Sequence, residues 1–441
     1  MRRRRAPRSA YDRVVVVGAG RAGVAAAEEL RRAGFRGEVR VLGDEPGAPY
    51  DRPACSKGLL TGDRRPSDVR MPVLDGAEID WHLGRRAVHL DPDARIVTTD
   101  TGERFGYDGL VIATGARAAL PRDWPEGEPG LHTLRTLTDA WALRGALRDA
   151  QRVVVIGAGL TGCEVASAVR TLARDCVLVD SSPYVLGRAV GETVGRLVTK
   201  EVARDGVQLR LGRRVTGLNR RRRGWLVELD DGDELLADLV VTTTGERPDV
   251  DWLDGTGIDV SDGVRCDESL RVLGVEGVVA AGTVARWPNL RYSARPRRYG
   301  QWIAALQQGR AAAHTLLAGD REVPPVTVVP RFWSDQYGLR IQVCGELPEH
   351  AEVMVTELRP GRRDVARAGV LVGYHDDGRL VGLVAVNAPH AFTSITRSML
   401  ATTTVTVPTR ATAPVTATAA VPAAAEVPVP ASAARRLAEA S

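Results

Sequence analysis

Apolar positions along this chain fall into two patterns, and each predicts a different kind of element. In the first, unbroken β-branched runs end in glycine-rich turns: "VVVVGAGRAGVAAA" beginning at Val14 and "VVVIGAGLTGCEVA" beginning at Val153. Each reads as a buried strand, a G-x-G-x-x-G turn and a helix that opens on small residues. Two more buried runs, in "YDGLVIATGARAALP" and "ADLVVTTTGERPD", end in Thr-Gly, a close-approach turn suited to carrying the chain from one domain to the next. The second pattern alternates: "VVPRFWSDQYGLRIQVCGE" and "GVLVGYHDDGRLVGLVAVN" read as strands with a D-D-G hairpin turn, followed by a short helix in "AFTSITRSML".

These patterns predict an α/β fold of two Rossmann-like dinucleotide-binding domains plus a small α+β C-terminal domain. The first domain is expected at 9–118 and, after an interruption by the second at 119–246, again at 247–325. The C-terminal domain is expected at 326–400. From 401 the chain becomes a Thr/Ala/Pro/Val tract without periodicity, expected to be disordered because it cannot build a core.

A single glycine motif is weak, but two in full strand, turn and helix context predict two dinucleotide sites. The first glycine (Gly18, Gly157) makes the tight turn and the second (Gly20, Gly159) lets backbone approach a pyrophosphate. The third (Gly23, Gly162) allows close packing, while the helix N-terminus presents partial positive charge to the phosphates. An acidic residue about twenty positions on is expected to bind a ribose hydroxyl. Asp44 or Glu45 fills that place in the first unit and Asp180 in the second. A carboxylate at Asp180 repels a 2′-phosphate, which favours NADH over NADPH, although Arg188 lies close enough in sequence to touch a phosphate.

Composition narrows the function classes. The length of 441 residues allows two or three domains, and 44% hydrophobic content supplies their cores. Net charge is +5, and the excess suits solubility or docking to an acidic protein partner. No apolar segment follows "MRRRRAPR", which reads as a solvated leader rather than an export signal or nucleic-acid arm. No stretch reaches membrane-spanning length. The five cysteines are scattered and never form C-x-x-C, so reduced thiols in a cytoplasmic setting are expected, with no metal site or iron-sulfur cluster held by this chain.

With these residues in view, the chain resembles the FAD-dependent, NADH-using ferredoxin reductases of cytochrome P450 and Rieske-type oxygenase systems, in the pyridine nucleotide-disulfide oxidoreductase superfamily. The likeness rests on "GAGRAGVAAAEELRRAGFRGEVRVLGDEPGAPYDRPACSKGLL", "LVIATGARAALP", "VVVIGAGLTGCEVA", "GQWIAALQQGRAAAH" and "FWSDQYGLRIQVCG". It implies a glutathione-reductase-like fold that binds FAD and NADH and hands electrons to an acidic iron-sulfur ferredoxin. In "PYDRPACSK" the resemblance makes Arg52 and Lys57 FAD-contacting groups, with Lys57 near the isoalloxazine. It sets Glu164 opposite that lysine across the nicotinamide pocket, the pair acting in hydride transfer. Thr114, Gly115 and Arg117 fall on the family's Ala-Thr-Gly loop against FAD, Gly245 on the matching return turn, and Trp333 on a C-terminal tryptophan beside the flavin.

Two positions depart from the family pattern. Where it has Ala-Gly-Asp, with the aspartate bonding the ribityl chain, this sequence has Ala281, Gly282 and Thr283. A neutral hydroxyl in place of a carboxylate weakens that contact by about 1 kcal/mol. Cys55 replaces a leucine: it is either a buried small hydrophobe or the redox cysteine of a single-cysteine NADH oxidase, peroxidase or disulfide reductase. A redox-silent binding protein that kept the fold is a third reading.

Overall fold

A computed structural model describes residues 11–74, 76–358 and 369–401. The N-terminal leader and the tract from 402, both expected to be disordered, lie outside the described residues.

Residues 14–17 and 153–156 are almost fully buried, the environment an unbroken apolar strand requires when both faces of its sheet are covered. Arg13–Val17 is the middle strand of a five-stranded parallel sheet in the order Val278–Ala280, Gly109–Ile112, Arg13–Val17, Glu38–Gly43, Asp80–Leu83. A second five-stranded parallel sheet repeats this order as Leu131–Thr133, Leu239–Thr242, Arg152–Ile156, Asp175–Asp180, Gln208–Leu211. Each also carries a three-stranded antiparallel meander before its second-from-edge strand, Ala87–Asp91 to Arg104–Gly106 in one and Val215–Arg220 to Glu234–Ala237 in the other. The sheets differ in one connection. Val278–Ala280 follows its glycine unit in the chain, whereas Leu131–Thr133 precedes its own.

Past the Thr-Gly turns, the outgoing segment Ala116–Ala118 pairs antiparallel with the returning Glu246–Pro248. The Ala119 N–H donates to the Gly245 carbonyl (2.9 Å) and the Asp249 N–H to the Gly115 carbonyl (3.1 Å). Both chain crossings therefore lie side by side.

The last part is a five-stranded antiparallel sheet in the order Arg331–Gln336, Leu339–Gly345, Arg379–Val386, Gly369–Asp376, Glu352–Leu358, with the helix Pro389–Ala401 packed on it. The D-D-G turn joins Gly369–Asp376 to Arg379–Val386, with Asp377 at φ 48° and Gly378 at φ 71°, the paired left-handed geometry that a two-residue hairpin favours.

Small residues set how the helices meet. Helix Arg21–Arg32 crosses helix Trp302–Ala318 so closely that a Cβ on Gly309 would stand 2.2 Å from the Ala22 carbonyl oxygen. From that second helix the fully buried Gln308 accepts a hydrogen bond from the Gly282 N–H (2.8 Å), which fixes the turn carrying Thr283. Among the described residues no helix is long and apolar enough to cross a membrane.

Candidate functional site

Both glycine turns are built the same way. Gly18 and Gly157 have φ of 115° and 102°, and a Cβ there would meet the carbonyl oxygens of Ala113 (2.2 Å) and Thr243 (2.8 Å). A Cβ on Gly23 or Gly162 would come to 1.8 Å from its own turn's carbonyl, Gly18 or Gly157. Gly20 and Gly159 instead face open space, with no atom within 4 Å of the Cβ direction. A helix N-terminus with a bare backbone approach is the arrangement a pyrophosphate takes, so both turns fit a dinucleotide.

Strand register separates the two acidic positions that sequence spacing treats alike. Val17 pairs with Leu42 and Ile156 with Val179, so Asp180 corresponds to Gly43, and Asp44 lies one residue further along. Asp180 turns back on its own glycine loop: its carboxylate accepts from the Ala158 N–H (2.5 Å) and the Ser182 N–H (2.7 Å). Gly43 has no room to do the same, because a Cβ would lie 2.9 Å from both Ala19 and Leu83. Asp44 is exposed and meets Arg117 at 3.4 Å, while Glu45 is taken up by Arg52 (2.8 Å) and the Tyr50 hydroxyl (2.7 Å).

One cavity of about 2460 Å³ runs through the molecule, more than twice the upper end of about 1,000 Å³ usual for a small-molecule pocket. It brings together Gly18, Gly20, Asp44, Arg52, Lys57, Thr114, Gly115, Arg117, Glu164, Arg188, Gly282, Thr283 and Trp333. Gly23, Gly157, Gly159, Gly162, Asp180 and Gly245 lie outside its lining. The first glycine turn thus opens into the cavity directly, and the second reaches it through the start of the following helix, at Leu160, Thr161 and Glu164.

On the cavity lining the Lys57 ammonium lies 2.8 Å from the buried Glu164 carboxylate and donates to the Pro53 carbonyl (3.1 Å). Glu164 also accepts from the hydroxyls of Ser56 and Ser334, and the Gln336 amide donates to Ser334 (2.9 Å). A buried carboxylate needs such partners, since an unpaired one would cost several kcal/mol. Ser56, Ser334 and Gln336 were not singled out by sequence reasoning, although Ser56 sits in "ACSK" and both Ser334 and Gln336 in "FWSDQY", stretches that carry the resemblance. Their proximity to Glu164 spans 108 residues for Ser56 and 170 for Ser334, and no local spacing rule reaches that far.

Elsewhere on that lining Thr114 donates to the Asp249 carbonyl (2.7 Å) and Arg117 pairs with the Asp249 carboxylate (2.9 Å). Arg52 donates to the Arg135 carbonyl (2.8 Å), and the Arg135 guanidinium, lowered by burial, pairs with Glu246 (2.6 Å). Trp333 packs edge-on against Trp302 at 6.4 Å, and the Trp302 N–H donates to Asp51 (3.1 Å). Thr283, only 7% exposed, lines the cavity beside Gly282. Cys55 is buried in an apolar cluster, and burial pushes its thiol up to about 12, with Arg52 opposing. A thiol held in its protonated form is a poor nucleophile.

A family model described as pyridine nucleotide-disulphide oxidoreductase matches residues 12–309. The chain belongs to that family. A second model, reductase C-terminal, matches residues 331–421 of this oxidoreductase. Similar curated proteins include the ferredoxin reductase component of chlorobenzene dioxygenase from Cupriavidus sp. (strain PS12), 33% identical over 87% of this chain and 91% of that one. Rhodocoxin reductase from Rhodococcus erythropolis is 33% identical over 88% and 89%. Among solved structures, a covalent putidaredoxin reductase-putidaredoxin complex superposes with a TM-score of 0.78, 29% identity, and coverage of 87% of this chain and 91% of that chain.

Proposed function

We propose that this oxidoreductase takes hydride from NADH onto a bound FAD and passes the electrons singly to an acidic iron-sulfur ferredoxin that serves a cytochrome P450 or Rieske-type oxygenase, in the cytoplasm. The observation that carries this reading is a single cavity joining the first glycine turn, the Lys57–Glu164 pair and Trp333. When bound, FAD supplies the chemistry that converts a two-electron donor into single-electron steps.

The protein's own part is positioning. The first glycine turn and the N-terminus of helix Arg21–Arg32 hold the FAD pyrophosphate, with Asp44 at its ribose and Arg52, Thr114, Gly115, Arg117, Gly282 and Thr283 along its length. The second turn, Asp180 and Arg188 hold NADH, and Gly245 closes the return crossing. On this reading residues 9–118 and 247–325 serve FAD and residues 119–246 serve NADH. Residues 326–400 would bring Trp333 beside the flavin and keep water out. Lys57, oriented by Glu164, would face the reacting end, where it would stabilise negative charge gained on reduction. The net charge of +5 speeds encounter with an acidic partner.

The test begins with the visible spectrum and flavin content of the purified protein, then anaerobic NADH titration and reduction of a plant-type or adrenodoxin-type ferredoxin. About one FAD per chain, bleached by NADH and reoxidised by ferredoxin, is expected. A protein that stays colourless in excess FAD would end this proposal. The single-cysteine alternative is separated by Cys55→Ser: on that alternative the substitution abolishes NADH-dependent peroxide or disulfide turnover, whereas a buried thiol acting as a small hydrophobe leaves such turnover and ferredoxin reduction within about twofold of wild type.

A further inference from the structure

The helix Gly187–Arg204 is broken near its start. Gly191 sits at φ 75°, ψ 171°, which separates a single turn at 187–190 from the remaining helix. That turn begins at Leu186, itself left-handed at φ 59°, whose N–H donates to the carbonyl of Ala158 inside the second glycine loop (2.8 Å). It carries Arg188 and Ala189 on the cavity lining. A break of this kind disturbs the hydrogen-bond ladder around it, and buried carbonyls at such a point call for partners from elsewhere.

The partner comes from the far end of the chain. The Tyr374 hydroxyl, from strand Gly369–Asp376 of the C-terminal sheet, donates to the Val190 carbonyl at 2.9 Å and is buried there. Burial pushes that hydroxyl up to about 12, so it remains a donor across the physiological range. A Cβ on Gly191 would stand 2.3 Å from the Tyr374 oxygen, so the glycine that breaks the helix also makes room for the tyrosine. The strand pairing shifts register between Tyr374 and His375, a bulge of the sort that re-aims a side chain. One turn to either side, Gly187 and Gly195 receive the Tyr184 ring, at 2.4 and 2.6 Å from their Cβ directions.

We propose that Tyr374 is a positioning residue for the pyridine nucleotide: it clamps the broken turn at Val190 and Gly191 so that Arg188 is held over the second glycine loop. This rests on the reading of that loop as the NADH site. Tyr374 itself is not on the cavity lining, so it acts on nucleotide affinity through the turn, and residue 374 governs binding rather than the electron-transfer step.

The experiment uses the FAD-loaded full chain. NAD⁺ affinity is measured by titration calorimetry, alongside NADH KM and kcat, FAD content and Tm. Tyr374→Phe is expected to weaken NAD⁺ binding and raise KM by about three- to tenfold, the scale of one lost hydrogen bond, with kcat and FAD content unchanged. On an Arg188→Gln background the same substitution is expected to add little. Gly191→Ala is expected to weaken binding further, and to recover part of the loss when Tyr374→Phe removes the hydroxyl it strikes. Unchanged NAD⁺ affinity in Tyr374→Phe overturns the clamp, as does a full effect without Arg188, a fall in Tm alone, or no recovery in the double variant. If wild type holds FAD but does not bind NAD⁺, the NADH reading itself fails and the clamp falls with it.

Discussion

The two glycine-turn units share more than their motif. Arg13 donates from its backbone (2.8 Å) and guanidinium (3.1 Å) to Asp108, and Arg152 does the same to Asp238 (2.9 Å for both). In each case the residue before the arginine, Asp12 or Gln151, adds a third N–H bond at 3.1 Å. This latch ties the middle strand of each sheet to the residue just before the neighbouring strand. Against that shared frame the units differ at the end of the second strand. Asp180 braces its own turn, whereas Gly43 cannot, and the first unit moves its acids one and two residues further to Asp44 and Glu45. The scaffold is thus duplicated in detail, while the structural difference between the two turns is concentrated in one strand end.

The strongest way to break the pairing is at the tight turns. Gly18→Ala forces a side chain into left-handed backbone and against the Ala113 carbonyl, and should weaken FAD retention roughly a hundredfold, about 3 kcal/mol. Gly157→Ala should leave flavin content intact and instead abolish anaerobic reduction at ordinary NADH concentrations. Identical loss of flavin in both variants would refute the division of labour.

Next comes the strand end itself. Asp180→Ala frees two backbone N–H groups and should raise KM for NADH by roughly 10- to 30-fold, about 1.5–2 kcal/mol, with FAD unaffected. The converse change, Gly43→Asp, should not transfer the brace. It overpacks Ala19 and Leu83 and should lower stability by about 1–3 kcal/mol in a denaturant melt.

A smaller effect is expected at Thr283. Thr283→Asp restores a charged acceptor and should tighten FAD several-fold, about 1 kcal/mol, as measured by flavin dissociation in chaotropic salt. Weaker retention would show that the hydroxyl is the better partner here.

The smallest effect is expected at the two latches, which should respond alike to pH. The guanidinium of Arg152 holds Asp238 below its usual range. At Asp108 burial opposes, and the bonds from Arg13 and Asp12 outweigh it. A depressed folded pKa means the unfolded chain binds more protons as acid is added. The stabilisation is therefore complete above the unfolded value of about 3.9 and is lost as pH falls through the folded one. Asp108→Asn and Asp238→Asn should each cost about 0.5–1 kcal/mol at pH 7, the range for partly exposed pairs, with the gap to wild type closing below about pH 4.

What the sequence made legible is what local geometry dictates. The glycine turns, the Thr-Gly crossings and the D-D-G hairpin each bind residues to a backbone shape within a few positions. Lys57 and Glu164 were legible only through resemblance, because they meet across 107 residues of chain. Separations of 108, 170 and 184 residues hid Ser56, Ser334 and Tyr374, whose roles depend on how the sheets pack. Spacing alone singles out Asp180 as the acid of its unit, but its bracing of the Ala158 N–H needs strand register, which spacing does not separate from that of Asp44.

The paired crossing at Ala116–Ala118 and Glu246–Pro248 has an architectural consequence. A segment of well over a hundred residues leaves and rejoins its host through a single doorway, with both jambs pinned to each other by Arg117, Thr114 and Asp249. Such an insert is a cassette. It can be acquired, lost or exchanged without rethreading the host sheet, since closing that doorway needs only a tight turn between two strands that already lie abreast.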